Sequence, residues 1–232
     1  FNNVQSEKVQ YGVVPIENST EGGISRTLDL LLMKDLKICG EITLPVHHCL
    51  ISKSKDLKKI TSIYAHGQSL AQCHDWIANN LPSAEKITVL SNAEGAKIAS
   101  KVKYSAAIAS ARAASIFKLN ILQNHIEDEP NNTTRFLILS DQEISPSGND
   151  KTSIVVATKN KPGAIVDLIQ PFASRKVSLT KLESRPSRIG MWEYVFFIDI
   201  EGHRDDSKIK LCLKDIEKKS SFMKFLGSYP KN

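Results

Sequence analysis

The chain has 232 residues, enough for one large domain or two ordinary ones, with 41% apolar and 24% charged residues, as in a soluble globular protein. Its richest apolar run, 28–33, is stopped by Lys34-Asp35 and falls far short of a membrane span. The net charge of +6 is spread among acidic neighbours and aromatics make up only 6%, so neither a basic stripe nor a stacking surface for nucleic acid emerges.

The cysteines Cys39, Cys49, Cys73 and Cys212 share no close spacing. That argues against a zinc site or a disulfide framework and for reduced thiols in a reducing cytoplasm. His47 and His48 are adjacent, which sends their rings to opposite faces of a strand or well apart on a helix, and no metal site is expected there. No signal peptide is recognised. The opening Phe1-Asn2-Asn3 reads as the middle of a helix, so the chain is expected to be a fragment of a longer protein.

In chain order, 11–16, 62–64, 86–90 and 106–108 are short apolar strand candidates. Each leads into small polar residues and then a helical pattern, an alternation that predicts an α/β domain with largely parallel sheets. A strand at 136–139 follows, then the polar, Pro- and Gly-containing stretch 141–150, read as a linker. Beyond it come a strand at 153–157 and a helix at 162–175. That helix has Pro162 at its first position and Ile165, Leu168, Ile169 and Phe172 on one face. Strands at 177–182 and 192–200, a helix at 207–219 and a strand at 222–226 complete a βαββαβ ferredoxin-like order.

The strand ends are polar: Glu17-Asn18-Ser19-Thr20, His66-Gly67-Gln68-Ser69, Ser91-Asn92 and Ala109-Ser110. Ser69 with Gln72, and Ser91 with Glu94, fit the capping box. Ligands of open α/β sheets bind beyond the carboxyl ends of strands, where helix N-termini favour anions. The pattern predicts a polar cleft for a small anion, although such residues also serve simply as caps. Asn131-Asn132-Thr133-Thr134-Arg135-Phe136 is different in kind, with two hydroxyls, two amides and one Arg at a strand start. It suits either binding or an Arg whose stem covers the sheet edge.

Val14-Pro15-Ile16-Glu17-Asn18-Ser19, Asn132-Thr133-Thr134-Arg135-Phe136, Glu183-Ser184-Arg185-Pro186 and the closing Leu226-Gly227-Ser228-Tyr229-Pro230 occur in that order. Together they resemble the prephenate dehydratases along essentially the whole chain. The resemblance implies a two-lobed α/β domain over 1–141, like a type II periplasmic binding protein, with the active site in its cleft. This domain would be N-terminally incomplete, because the family's G-T-F-S motif is absent. Its second lobe would cover about 48–122, the chain leaving the first lobe near Leu44-Pro45 and returning after Thr134. A linker at 142–151 and a ferredoxin-like ACT domain at 152–232 would follow.

The implied reaction is loss of water and carbon dioxide from prephenate to give phenylpyruvate, without cofactor or metal, in a cytoplasmic enzyme of phenylalanine biosynthesis. A fused chorismate mutase domain ahead of the fragment is one form such proteins take. Arogenate dehydratase is the nearer alternative, and a non-catalytic ligand-sensing protein the farther one. The resemblance implies a catalytic set of Thr134, matching the family's catalytic threonine, and Arg135 beside it, a residue type able to grip a substrate carboxylate. The set also includes Glu17, Asn18 and Gln68, which match polar cleft residues linked to catalysis or substrate binding. Phe136, Ser19, Ser91, Asn92 and Ser110 match substrate-contacting positions.

In the second domain Gly163-Ala164-Ile165 resembles the family's G-A-L sequence, with Ile165 in place of Leu. With Ser178, Leu179, Glu183, Ser184, Arg185 and Pro186 it implies feedback inhibition by phenylalanine bound between subunits of a homodimer or homotetramer. Ser178 stands where many relatives carry Asn, and Gly67 where Pro is commoner.

Overall fold

The computed structural model describes residues 1–158, 161–187 and 194–232. The chain divides into two compact units, Phe1–Leu44 with Thr134–Asn232, and Pro45–Thr133. None of the described helices is long and apolar enough to cross a membrane.

The first unit opens with α1 (Asn2–Gln5), β1 (Gly12–Asn18), β2 (Gly22–Gly23), α2 (Ser25–Met33) and β3 (Lys37–Pro45). The turn after β1 is built by Asn18, whose Oδ1 accepts from Thr20 N–H at 3.1 Å, Thr20 Oγ1–H at 2.6 Å and Glu21 N–H at 3.2 Å. Asn is suited to this because its short side chain mimics a backbone turn.

The second unit contains β4 (Cys49–Ser52), β5 (Ser62–Ala65), α3 (Gly67–Gln72), α4 (His74–Asn80), β6 (Glu85–Thr88), α5 (Asn92–Ala99), β7 (Ser105–Ala109), α6 (Ala111–Phe117) and β8 (Asn120–Gln123). Its sheet order is β6-β5-β7-β4-β8. β5 runs parallel to β6 and β7, and β4 antiparallel to β7 and β8. Gly95 lets α5 lie against β5, since a Cβ there would come within 2.5 Å of Tyr64 O.

The chain re-enters the first unit through β9 (Thr133–Ser140), which pairs antiparallel with β1 in a sheet of order β2-β1-β9-β3. The expectation of largely parallel sheets therefore holds only for β6-β5-β7. Helical crossovers between successive strands enforce parallel pairing there. The whole second unit separates β3 from β9, and a connection that long leaves strand direction free.

The C-terminal domain comprises β10 (Asp150–Ala157), α7 (Ala164–Ser174), β11 (Leu179–Pro186), β12 (Tyr194–Glu201), α8 (Ser207–Lys219) and β13 (Phe222–Pro230). Its antiparallel sheet has the order β11-β12-β10-β13, the expected βαββαβ arrangement. Several boundaries differ from the sequence pattern: β10 already begins at Asp150, inside the stretch read as a linker, and β13 runs on to Pro230. Pro162 precedes α7 rather than opening it, because Gly163 at φ +79° forms the N-cap. β11 runs on to Pro186 and so takes Glu183, Ser184 and Arg185 into the sheet. The first two residues of the strand expected at 192–200 lie outside the described residues.

This sheet is buried on both faces. Ile154, Val156, Phe196, Ile198 and Ile200 pack with Leu168, Phe172, Ile209, Cys212 and Ile216 of the two helices. The alternate residues Val155, Val195, Phe197, Leu226 and Tyr229 pack with Ile16, Leu28, Leu31, Ile38, Leu137 and Leu139 of the N-terminal part. Two-sided burial explains why 154–157 of β10 and 195–198 of β12 read as continuous apolar runs. Gly227 is required for this contact, because a Cβ there would collide with the Ile38 backbone.

Candidate active site and regulatory surface

β1 and β9 pair so that Asn18 faces Thr134 and Glu17 faces Arg135, with a register shift between Pro15 and Glu17. Such a bulge bends a strand and re-aims the side chains beside it. The buried Asn18 donates from Nδ2 to Thr134 Oγ1 at 3.0 Å. Its Oδ1 is already occupied by the three turn donors, which fixes the amide's orientation. With one oxygen lone pair of Thr134 taken by Asn18, the hydroxyl proton is left to point at another acceptor. Phe136 is half-buried farther along β9, and Ser19 is exposed in the turn.

Arg135 faces a different environment. Its Nε donates to Glu41 Oε2 at 2.7 Å, NH1 to Asp199 Oδ2 at 2.7 Å and NH2 to the Tyr229 hydroxyl at 3.1 Å. Burial disfavours the guanidinium charge, but Asp199, Tyr229 and Glu41 outweigh it and raise the pKa. Glu41 also accepts from Lys151 Nζ at 2.8 and 2.9 Å. Burial would raise the pKa of Glu41, yet Lys151 and Arg135 hold it below the usual carboxylate range. Asp199 takes a further bond from Ser153 Oγ at 2.6 Å. Two acids and two cations thus balance in the interior, each with hydrogen bonds as well as charge partners. Glu17 lies beside this cluster, with Lys181 Nζ at 2.8 Å and Arg135 NH1 at 3.7 Å from its Oε2.

Sequence reading missed Glu41, Lys151, Lys181, Asp199 and Tyr229. The available signal was Asp199 inside the apolar run Phe196 to Ile200. A charge there calls for a buried partner.

In the second unit the expected polar residues gather at the carboxyl ends of the parallel strands β6, β5 and β7. Gln68 is exposed in the first turn of α3. Asn92 accepts from His66 N–H at 2.9 Å and donates to Ser69 Oγ at 2.7 Å, tying the start of α5 to α3. Ser91 accepts from Glu94 N–H at 3.1 Å, while Glu94 Oε2 accepts from Leu90 N–H at 3.0 Å. Ser110 caps α6 through Ala113 N–H at 3.3 Å. The Ser69–Gln72 capping box does not form. His66 is the cap of α3, so Ser69 lies inside the helix, and Gln72 instead meets His48 Nε2 at 2.9 Å.

In the C-terminal domain Gly163 and Ala164 form the start of α7, with Ile165 and Val166 exposed beside them. Ser178 is exposed, and half-buried Leu179 opens β11. Along β11 the side chains alternate: Thr180, Leu182, Ser184 and Pro186 are exposed, while Lys181, Glu183 and Arg185 turn inward. Glu183 meets Lys181 at 2.9 Å and sits where a Cβ of Gly23 would be. Arg185 donates to Ser25 Oγ at 2.9 Å and Asp29 Oδ1 at 3.1 Å. The inward half of Glu183-Ser184-Arg185-Pro186 is therefore packed against β2 through Glu183 and hydrogen-bonded to α2 through Arg185.

The profile described as prephenate dehydratase matches residues 1–144, and that of the ACT domain matches residues 152–218. A bifunctional chorismate mutase/prephenate dehydratase of Pseudomonas aeruginosa is 49% identical over 100% of this chain and 64% of its own length. The prephenate dehydratase of Methanocaldococcus jannaschii is 42% identical, covering 94% of this chain and 80% of that protein. The crystal structure of a prephenate dehydratase from Arthrobacter aurescens in complex with L-Phe superposes with a TM-score of 0.88. It is 34% identical over 99% of this chain and 78% of that one. The chain spans 64% of the length of the bifunctional relative.

Proposed function

The chain belongs to the prephenate dehydratase family and carries an ACT domain, and on that premise we propose that it converts prephenate to phenylpyruvate in phenylalanine biosynthesis. The observation that carries this reading is the 3.0 Å hydrogen bond from Asn18 Nδ2 to Thr134 Oγ1. In the reaction the C4 hydroxyl takes up a proton and leaves as water. The ring carboxylate leaves as carbon dioxide, and the electrons of its broken bond complete the aromatic ring. An aliphatic hydroxyl is too weak an acid to supply that proton at neutral pH. Thr134 instead donates a hydrogen bond to the departing oxygen and relays the proton. Asn18 orients it by holding the opposite side of Oγ1.

Arg135 is a positioning residue in this reading. Its Nε, NH1 and NH2 are committed to Glu41, Asp199 and Tyr229, so the guanidinium holds β9, and Thr134 with it, in place. Glu17, held by Lys181, contributes its carboxylate beside the threonine strand. Phe136, Ser19, Gln68, Ser91, Asn92 and Ser110 are assigned to substrate contacts on the family resemblance.

The assay compares prephenate and arogenate with the full-length protein that carries this chain. Prephenate is turned over, Thr134→Ser retains much of the rate, and Thr134→Ala loses about 10²–10⁴-fold. Preference for arogenate reassigns the substrate, and near-normal turnover by Thr134→Ala removes the threonine's role.

The same reading includes feedback inhibition by L-phenylalanine at the ACT domain, in a homodimer or homotetramer in the cytoplasm. The α7 start supports it. Gly163 supplies no side-chain cap, so beyond Ala164, whose N–H is bonded to Lys161 O, the first turn of the helix can present N–H groups to a carboxylate, and exposed Ile165, Val166 and Leu182 offer apolar surface for an aromatic ring and a second subunit. Four free cysteines suit a reducing compartment. Inhibition requires the effector to prefer the inactive arrangement, typically by about 1–3 kcal/mol. Calorimetry detecting no phenylalanine binding at millimolar concentrations would remove the regulatory half.

A further inference from the structure

His47, His125 and Glu127 bring three ligand atoms together at the edge of the second unit. His47 Nδ1 lies 2.8 Å from Glu127 Oε1, His125 Nδ1 lies 3.3 Å from the same oxygen, and the two Nδ1 atoms are 3.1 Å apart. The rings meet edge to face with centroids at 4.4 Å. The three atoms form a nearly equilateral triangle, drawn from the chain entering the unit before β4 and the chain following β8.

Protons alone serve this triangle poorly. If His125 donates to His47, the His47 Nδ1 lone pair must face the carboxylate oxygen at 2.8 Å. If each ring donates to Glu127, one oxygen takes both bonds and two N–H groups lie side by side. A cation at the centre of the face turns all three lone pairs to use. Zinc bonds to His nitrogen and carboxylate oxygen at about 2.0–2.2 Å, which in a tetrahedron separates ligand atoms by roughly 3.3–3.5 Å. The His125 edges, at 3.1 and 3.3 Å, need to open by at most a few tenths of an ångström, and the 2.8 Å His47–Glu127 edge by roughly half an ångström or slightly more.

We propose that His47, His125 and Glu127 form a binding site for a divalent transition-metal ion of the zinc class. Two imidazoles and one carboxylate favour zinc, nickel or copper over magnesium or calcium, which require oxygen-rich shells. The geometry also has the support that metal sites use. The Glu127 carboxylate is 1% exposed and fixed from behind, its Oε2 accepting the His48 backbone N–H at 2.8 Å. The His side chains are 43% and 65% exposed, so an ion can enter from solvent and keep water as a fourth ligand. His125 holds a φ of +52°, a left-handed backbone uncommon for a residue with a side chain. The adjacent His48 takes no part, because its ring turns the other way onto Gln72. Adjacency thus separates the His47 and His48 rings as the sequence predicts, while the fold supplies His47 with partners from a distant segment. A bound ion would cross-link the segment before β4 to the segment after β8.

The test titrates the untagged, chelator-stripped full-length protein with zinc chloride by calorimetry and follows thermal unfolding, with magnesium chloride as control. Cobalt(II) then reports coordination through its visible absorption. Because Glu127 is buried, the variants are the exposed His47→Ala, His125→Ala and their double. The site requires one zinc per chain and a raised unfolding midpoint with zinc but not magnesium. It also requires at least about tenfold weaker binding in each single variant and loss of the cobalt spectrum in the double. No zinc-dependent shift in the parent protein, or undiminished binding in a folded double variant, overturns it.

Discussion

The Arg135 guanidinium donates to the Asp199 carboxylate at 2.7 Å, joining the strand that carries Thr134 to the third strand of the ACT sheet. The pair is buried, and Glu41, Lys151 and Tyr229 complete its surroundings. The N-terminal part and the ACT domain of the first unit therefore share charge as well as apolar core. Removing one member leaves its partner buried and unneutralised, which costs about 3–5 kcal/mol. Arg135→Met should lower urea-unfolding stability by that order. Arg135→Lys keeps the charge but loses the fork. It should lower kcat while leaving KM for prephenate nearly unchanged, and a KM rise with kcat intact would instead indicate that Arg135 grips substrate.

Asn18→Asp exchanges the donor to Thr134 for an acceptor. The Thr134 proton then turns toward the new carboxylate and away from the leaving oxygen. The expected result is a fall in kcat of about 10²-fold with a smaller change in KM, measured at saturating prephenate. Unaltered kcat would contradict the orienting role.

Acid should weaken the protein through Glu41. Its folded pKa lies below its ordinary 4.5, so its stabilisation is complete above about pH 4.5 and is lost as pH falls through the lower folded value. Glu127 behaves in the same direction: burial opposes its ionisation, but His47 and the His48 N–H prevail. Unfolding free energy should be level between neutrality and about pH 5 and then fall. Glu41→Gln should be less stable at neutral pH and show a shallower acid slope.

Gly163→Val places a β-branched residue at φ +79°, a conformation that costs an ordinary residue roughly 1–2 kcal/mol. The start of α7 should shift, weakening phenylalanine binding by about tenfold or more in calorimetry. Uninhibited turnover should be close to the parent rate.

Thiol chemistry offers a separate check on the core. Burial pushes Cys73 up to about 12 and Cys212 to about 11, and it raises Cys49 as well. Only half-buried Cys39 offers access from solvent. Ellman's reagent near neutral pH should titrate no more than this thiol in the native protein and all four after unfolding.

Much of this was legible in the sequence, where local chemistry decided the outcome. The helix at 207–219 has an apolar stripe of its own, Ile209, Cys212 and Ile216, and it appears with those bounds. Asn18 and Thr134 were recognisable because short polar motifs mark strand ends. The partners of Arg135 were not, since Glu41 and Asp199 lie 94 and 64 residues away, and only strand pairing within one sheet and packing against a second bring them together. Glu183 and Arg185 likewise resembled effector contacts from sequence alone. The alternation along β11 turns them toward Gly23, Ser25 and Asp29 instead. His125 and Glu127 carried no sequence signal for His47, because contact over some eighty residues has no local signature.

The two-faced burial of the C-terminal sheet limits how this protein can be divided or recombined. Cutting after residue 144 would strip cover from Ile16, Leu28, Leu31, Ile38, Leu137 and Leu139, each worth roughly 1.5–3 kcal/mol when fully buried. It would also strand Glu41 and Arg135 without Lys151 and Asp199. The ACT domain thus forms a structural cover for its N-terminal neighbour. Exchanging it for another ACT domain would require re-matching Gly227, Val155, Phe197 and Tyr229 to the surface they cover, so the two parts are constrained to diverge together.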